Sequence, residues 1–275
     1  MRLRTLARRL MSRLWFRPTR RGVRLASLWL VLAAASVSAV SVRAHEDEAD
    51  AKHPVTWTEE ILSAEFVSPT SKYSHGVLGD AVEWSGLRFQ FPGNHGAWEA
   101  HILLPTDHVF EDLEPRLVDL TLDGRPNAMM VVETDMALGA ALALYGAHGK
   151  IAETPHIGRA NRWLAPVAAG DLDGDGRVEL AYVDRPHLAK TLRIWRFDAG
   201  TLTEVASMSG VTNHRIGDDF ITSGLRRCAE TSELILVDAS WKRLIAVRLT
   251  GEEISSRDIG PFAGQASFQA ALACE

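Results

Sequence analysis

The sequence predicts an all-β protein, a β-propeller-like array of about four to five four-stranded antiparallel blades that forms a small or incomplete ring. Three observations carry this. A unit recurs along the chain, with starts at Leu78, Leu113, Leu164 and Ile216, spaced 35, 51 and 52 residues apart. Within each unit, short apolar runs rich in Val, Ile, Thr and aromatics repeat with period two, the spacing of strands rather than of helices. Hairpin signals such as Asp198-Ala199-Gly200 separate the runs.

The first 44 residues stand apart. They hold ten Arg and no acid, so the remainder carries 20 basic against 35 acidic residues. That acidic balance argues against a nucleic-acid partner, which needs a basic face. Residues 25–42 are apolar with many small side chains, and Val42-Arg43-Ala44 supplies small residues at the positions a signal peptidase reads. We read 1–44 as a signal peptide, 45–60 as an acidic flexible segment and 61–275 as the repeat domain. An uncleaved signal anchor is the rival reading, because 18 apolar residues just span a bilayer. Thr19-Arg20-Arg21 resembles a twin-arginine opening, although Val23, Arg24 and Leu25 depart from the rest. No second apolar run of that length follows, so no membrane span is expected after signal removal, and the product is expected in the periplasm or secreted.

Further along, residues 61–67 read as a strand. The unit from Leu78 is degenerate, with VEWSGLRFQF and WEAHILL as its strands. The unit from Leu113 is weaker than the one from Leu164, whose strands are expected at 165–170, 178–184, 191–198 and 201–208. Leu180 to Val183 run without polar interruption, as in a strand covered on both faces. Leu192, Ile194 and Phe197 interleave with Arg193 and Arg196, which places that strand nearer an edge. A helix is expected only at 264–273, where Phe268 and Leu272 stand four apart. Trp84, Trp163, Trp195 and Trp241 recur about once per unit and are read as packing residues.

The strongest chemical signal is Asp171-Leu172-Asp173-Gly174-Asp175-Gly176-Arg177-Val178-Glu179. Carboxylates stand at positions 1, 3, 5 and 9, Gly176 allows a sharp turn, and the Arg177 carbonyl supplies a further oxygen. Such a set of hard oxygens suits calcium, and without a cation the acids repel one another. Tyr182 replaces the Glu that an EF-hand needs at position 12, and a strand follows instead of a helix. The matching loop one unit earlier keeps Asp119 and Asp123, with Thr121 at position 3 and Asn127 at position 9; it reads as a weak second metal loop. In the last unit the acids are gone.

DLDGDGRVEL, the strand after it and the blade-length recurrence resemble the FG-GAP/VCBS repeats of the integrin α N-terminal propeller superfamily, in its exported bacterial form. The resemblance implies a calcium-stabilised propeller used for binding or adhesion, with Asp171, Asp173, Asp175, Arg177 (carbonyl) and Glu179 as ligands. The FG-GAP sequence itself is missing.

Cys228 and Cys274 are the only cysteines and are expected to pair in an oxidising compartment. His75, His108 and His214 precede the innermost strand of three units, and Arg162 holds the related place in the fourth. Together they are candidates for a ligand mouth where blade starts converge; the simpler reading is that each His caps a loop. Catalytic motifs are missing: there is no G-x-S-x-G, H-E-x-x-H or C-x-x-C. The sequence therefore favours a non-catalytic module that binds a protein or surface ligand. The alternative is a periplasmic hydrolase or lyase with its site at the mouth.

Overall fold

A computed structural model describes residues 59–93, 96–228 and 231–274. The expected signal peptide and nearly all of the acidic segment lie outside the described residues. The protein is all-β, with one short helix. The strands are β1 (Ser63–Thr70), β2 (Glu83–Phe91), β3 (Trp98–Leu103), β4 (His108–Phe110), β5 (Arg116–Val118), β6 (Ala128–Asp135), β7 (Gly139–Gly146), β8 (Gly149–Glu153) and β9 (Leu164–Gly170). They continue as β10 (Val178–Asp184), β11 (Thr191–Asp198), β12 (Thr201–Ser209), β13 (Val211–Thr212), β14 (Gly224–Cys228), β15 (Thr231–Asp238), β16 (Arg243–Thr250) and β17 (Glu253–Pro261). Helix α1 (Gln265–Leu272) ends the described chain.

Three antiparallel meanders of four consecutive strands recur: β5-β6-β7-β8, β9-β10-β11-β12 and β14-β15-β16-β17. Unit three matches the sequence reading strand for strand. Unit one differs. It has β2 between β1 and β3, and its segment 75–80 forms turns rather than an innermost strand. Units one and two also share one eight-stranded sheet, because β4 pairs with β6 and touches β2 through Trp84 opposite Phe110. The described residues thus hold three sheets of eight, four and five strands, where four or five separate ones were expected.

The innermost strand explains part of the difference. In unit three it is continuous as β9, with a bulge opposite Ala181/Tyr182. In units two and four an insertion splits it: β4 and β5 lie end to end along β6, and β13 and β14 lie end to end along β15.

Period-two alternation decides how the units stack. On β6, Met130 and Val132 face unit three while Met129 and Val131 face unit one. On β10, Leu180 and Tyr182 pack toward unit two while Ala181 and Val183 pack toward unit four. Both faces of these central strands are therefore buried, which is why Ala128–Val132 and Leu180–Val183 run without a polar residue. Leu180 is 0% exposed, and Leu180→Ala would cost about 2–5 kcal/mol through lost transfer and the cavity left behind. The far face of unit four packs Ile235, Leu244 and Ala246 against Phe268 and Ala271 of α1, so the helix, not another sheet, covers it. Cys228 and Cys274 form the expected disulfide, tying β14 to the residue pair following α1. Units one and four meet at their inner loops, where the Gly217 amide donates to the Val77 carbonyl at 3.1 Å.

Candidate functional site

The β9–β10 turn carries the acidic loop. Its backbone is held by its own first carboxylate: Asp171 accepts from the Gly174 amide at 2.6 Å and the Gly176 amide at 3.1 Å. Gly174 and Gly176 sit at φ 82° and 81°, left-handed values that glycine adopts without strain. Glu179, on β10, is 0% exposed and accepts from the Leu172 amide at 3.1 Å. One carboxylate oxygen each of Asp171, Asp173 and Glu179 lies within 4.8 Å of the others, a hard-oxygen group able to hold a metal ion. Among the described residues no other such group of acids, His or Cys occurs.

Asp175 is not in that group. Its carboxylate turns to Arg177, which donates from Nε at 2.9 Å and from its own amide at 2.9 Å. The Arg177 hydrogen bond holds the Asp175 carboxyl below its ordinary range.

Sequence reasoning missed Arg196. Its guanidinium donates to Glu179 at 2.7 Å and to Asp173 at 3.2 Å, and approaches Asp175 at 3.5 Å. Arg196 therefore supplies a positive charge against the cluster, and the like-charge strain expected of the loop is relieved by the protein itself. Burial still pushes the Glu179 carboxyl above its usual value, the Arg196 hydrogen bond opposing the shift. A signal existed: Glu179 and Arg196 stand opposite in the antiparallel β10–β11 register, which closes at Asp184 opposite Thr191. Asp173 also accepts from the Gly251 amide at 3.0 Å, and Arg196 donates to the Gly251 carbonyl at 3.3 Å. The loop of unit three is thereby clasped to the β16–β17 turn of unit four.

The β5–β6 turn has the same build. Asp119 accepts from Gly124 at 2.6 Å, Asp123 pairs with Arg125, and the Leu120 amide donates to Asn127 at 2.9 Å, as Leu172 does to Glu179. Leu122 at φ 58° stands where Gly174 stands. The Asn127 amide nitrogen donates to Thr121 at 2.9 Å, so a neutral amide–hydroxyl contact replaces the two acids at positions 3 and 9. Asp119 and Asp123 belong to no group of three acids, His or Cys close enough to share a metal ion among the described residues.

The proposed mouth residues separate. His75 and Arg162 line one cavity of about 250 Å³, together with Asn161, Trp163, Arg185 and His187 and a rim that includes Ile216. Its walls thus come from all four units. His75 Nδ1 lies 2.5 Å from Glu111, which also accepts from Thr134 at 2.7 Å. Glu111 thus bonds His75 through one carboxylate oxygen and Thr134 through the other. His214 is 1% exposed and supports His187 from behind, at 3.1 Å, while its Nε2 bonds the Asp218 carbonyl at 3.0 Å. Burial, with His214 beside it, pushes the His187 imidazole down to about 4. His108 does not join them. It opens β4 opposite Asp135, bonds Asp107 at 2.9 Å and lies beside His156. Arg185 and His187, on the β10–β11 connection, escaped sequence reasoning because no unit start marks them.

The fold and loop define a class of protein: stacked antiparallel meanders carrying a three-carboxylate turn able to hold a metal. No protein-family model matches the chain, and no curated protein matches it as a relative.

Proposed function

We propose that this chain is an exported, propeller-like module of the FG-GAP/VCBS type whose Asp171–Glu179 loop binds calcium and whose converging inner loops bind a partner without catalysis. The observation that carries the reading is the three-carboxylate cluster of Asp171, Asp173 and Glu179 at the β9–β10 turn. The same turn, built on Asp119, recurs one unit earlier with Thr121 and Asn127 in place of the acids at positions 3 and 9, which is how repeats of one ancestral metal loop diverge. The donor set is oxygen throughout and fits a hard cation. Calcium there would neutralise the carboxylates and brace unit three against unit four through Asp173 and Gly251. The helix over unit four leaves the array open, so the reading is an incomplete ring. The disulfide is compatible with an oxidising compartment. Among the described residues no helix is long and apolar enough to cross a membrane.

Thermal melting in calcium and in chelator tests the reading. Calcium should raise the melting temperature of wild type. Asp173→Ala should abolish most of that rise, and Asp123→Ala should leave it intact. Equal melting of wild type and Asp173→Ala in both solutions would reduce the loop to an acidic turn.

A second reading, a hydrolase or lyase at the mouth, is favoured by the His75–Glu111 pair at the cavity, the pairing of an imidazole with a carboxylate that acid–base catalysis uses. A broad activity screen with His75→Ala discriminates: turnover lost with melting intact supports the enzyme.

A further inference from the structure

The cavity beside His75 has a definite charge pattern. Arg162 lines it, and its guanidinium pairs with no carboxylate among the described residues; Nη1 donates only to the Asn161 carbonyl, at 2.7 Å. Arg185 is different. Asp184 accepts from it twice, at 2.8 and 3.0 Å, and neutralises it. His187 is held neutral by burial. The cavity therefore presents one uncompensated positive charge, with the His75 edge as a further directional polar group.

The rest of the lining is apolar. Trp163 forms a wall, fixed by its indole N–H to the Glu111 carbonyl at 2.8 Å. Ile216 and Leu188, 72% and 64% exposed, stand at the rim and extend the apolar surface beyond Trp163. Two wall residues, Asn161 and Arg185, hold left-handed backbone at φ 54° and 44°. Such conformations cost free energy and persist where surrounding contacts enforce them, commonly at ligand sites. Here the Tyr73 hydroxyl accepts from the Asn161 amide at 2.8 Å, and Arg185 bonds backward to Asp184.

We infer that this cavity binds a small organic monocarboxylate, with its carboxylate on Arg162 and its apolar body against Trp163 and Ile216. A single free guanidinium matches one negative charge; a phosphate dianion would need more cations than the cavity offers. A transition metal is not favoured, because the imidazoles of His75, His187 and His214 do not converge on one point. The inference gives the binding role proposed above a ligand class and rests on that role, but not on calcium.

The test is calorimetric titration of the full chain with phenylacetate, with uncharged phenylacetamide and with inorganic phosphate, in chelator and again in calcium. Phenylacetate should bind in both solutions. The amide should bind about tenfold or more weakly, the effect of losing one charge-assisted hydrogen-bonded pair of about 1.4 kcal/mol. Arg162→Gln should weaken phenylacetate by about the same factor and leave the amide unchanged, with unaltered melting, while Arg248→Gln changes nothing. Equal binding of acid and amide, equal binding of phosphate, or no phenylacetate heat at about 10 mM overturns the inference. Binding in chelator with no calcium effect on melting keeps the cavity and removes only the metal reading.

Discussion

Replacing Arg196 by Gln isolates what holds the acidic loop together. Arg196 is 7% exposed and Glu179 0% exposed, so their 2.7 Å contact is a buried ion pair. Removing one partner of such a pair costs about 3–5 kcal/mol, because the other charge is left uncompensated. For a domain of this size each kcal/mol is worth about 2–4 °C, so the melting temperature in chelator should fall by about 10 °C. Calcium should restore much of this, since an ion at a hundredfold excess over its Kd returns about 2.7 kcal/mol to the folded state. The variant should therefore respond to calcium more strongly than wild type, in which the guanidinium already offsets part of the cluster's charge. Acid should help as well. Glu179 is held above its unfolded value, so its folded form keeps a proton more readily, and the deficit should shrink as pH falls toward the unfolded carboxylate range. Urea unfolding at constant m, in chelator and in calcium, measures all three effects. A loss below about 1 kcal/mol in chelator, or a loss that calcium leaves untouched, would refute the reasoning.

Three further outcomes follow from the fold. Serine at Cys228 and Cys274 should lower stability by up to about 4 kcal/mol, the chain-entropy value for a 46-residue separation, seen as a lower urea midpoint. Glu83 is 2% exposed, and burial, then Glu111, Asp80 and Asp112, push its carboxyl up to about 9. The folded state thus holds a proton that the unfolded chain releases, so this group's stabilisation is full below the unfolded pKa and is lost as pH rises toward 9. Glu83→Gln should therefore gain up to about 3 kcal/mol over wild type at pH 7 and little at pH 4, read from urea midpoints at both. Gly79 has φ +94°, and a Cβ there would stand 2.8 Å from the Gly217 carbonyl oxygen. Gly79→Ala should then cost about 1–3 kcal/mol by parting units one and four, whereas an unchanged midpoint would mean that contact is dispensable.

Unit three was legible in sequence because its signals agree: β10 is apolar on both faces, Asp198-Ala199-Gly200 closes a hairpin, and the inner strand is unbroken. The helix and disulfide were legible for similar local reasons. Unit one was not, since its inner segment forms turns and the bridge of Trp84 to Phe110 is a contact that no periodicity announces. The split inner strands of units two and four follow from insertions whose residues resemble ordinary loops. At the candidate site, the acids stood in one loop and were readable, but Arg196 reaches them from the next strand. Asp175 looked like a ligand by spacing, yet the nearby Arg177 competes for it. The mouth needed three dimensions: Trp163 and His187 lie far apart in sequence from His75, and His108, equivalent by repeat position, faces Asp135 instead.

Direct calorimetric titration with calcium tests the metal reading most plainly. One calcium ion per chain should bind wild type, none should bind Asp173→Ala, and Asp123→Ala should keep the wild-type isotherm. Magnesium should bind poorly, being too small for this many protein oxygens. Wild type and Asp173→Ala giving the same isotherm, or neither giving any calcium heat, would contradict it.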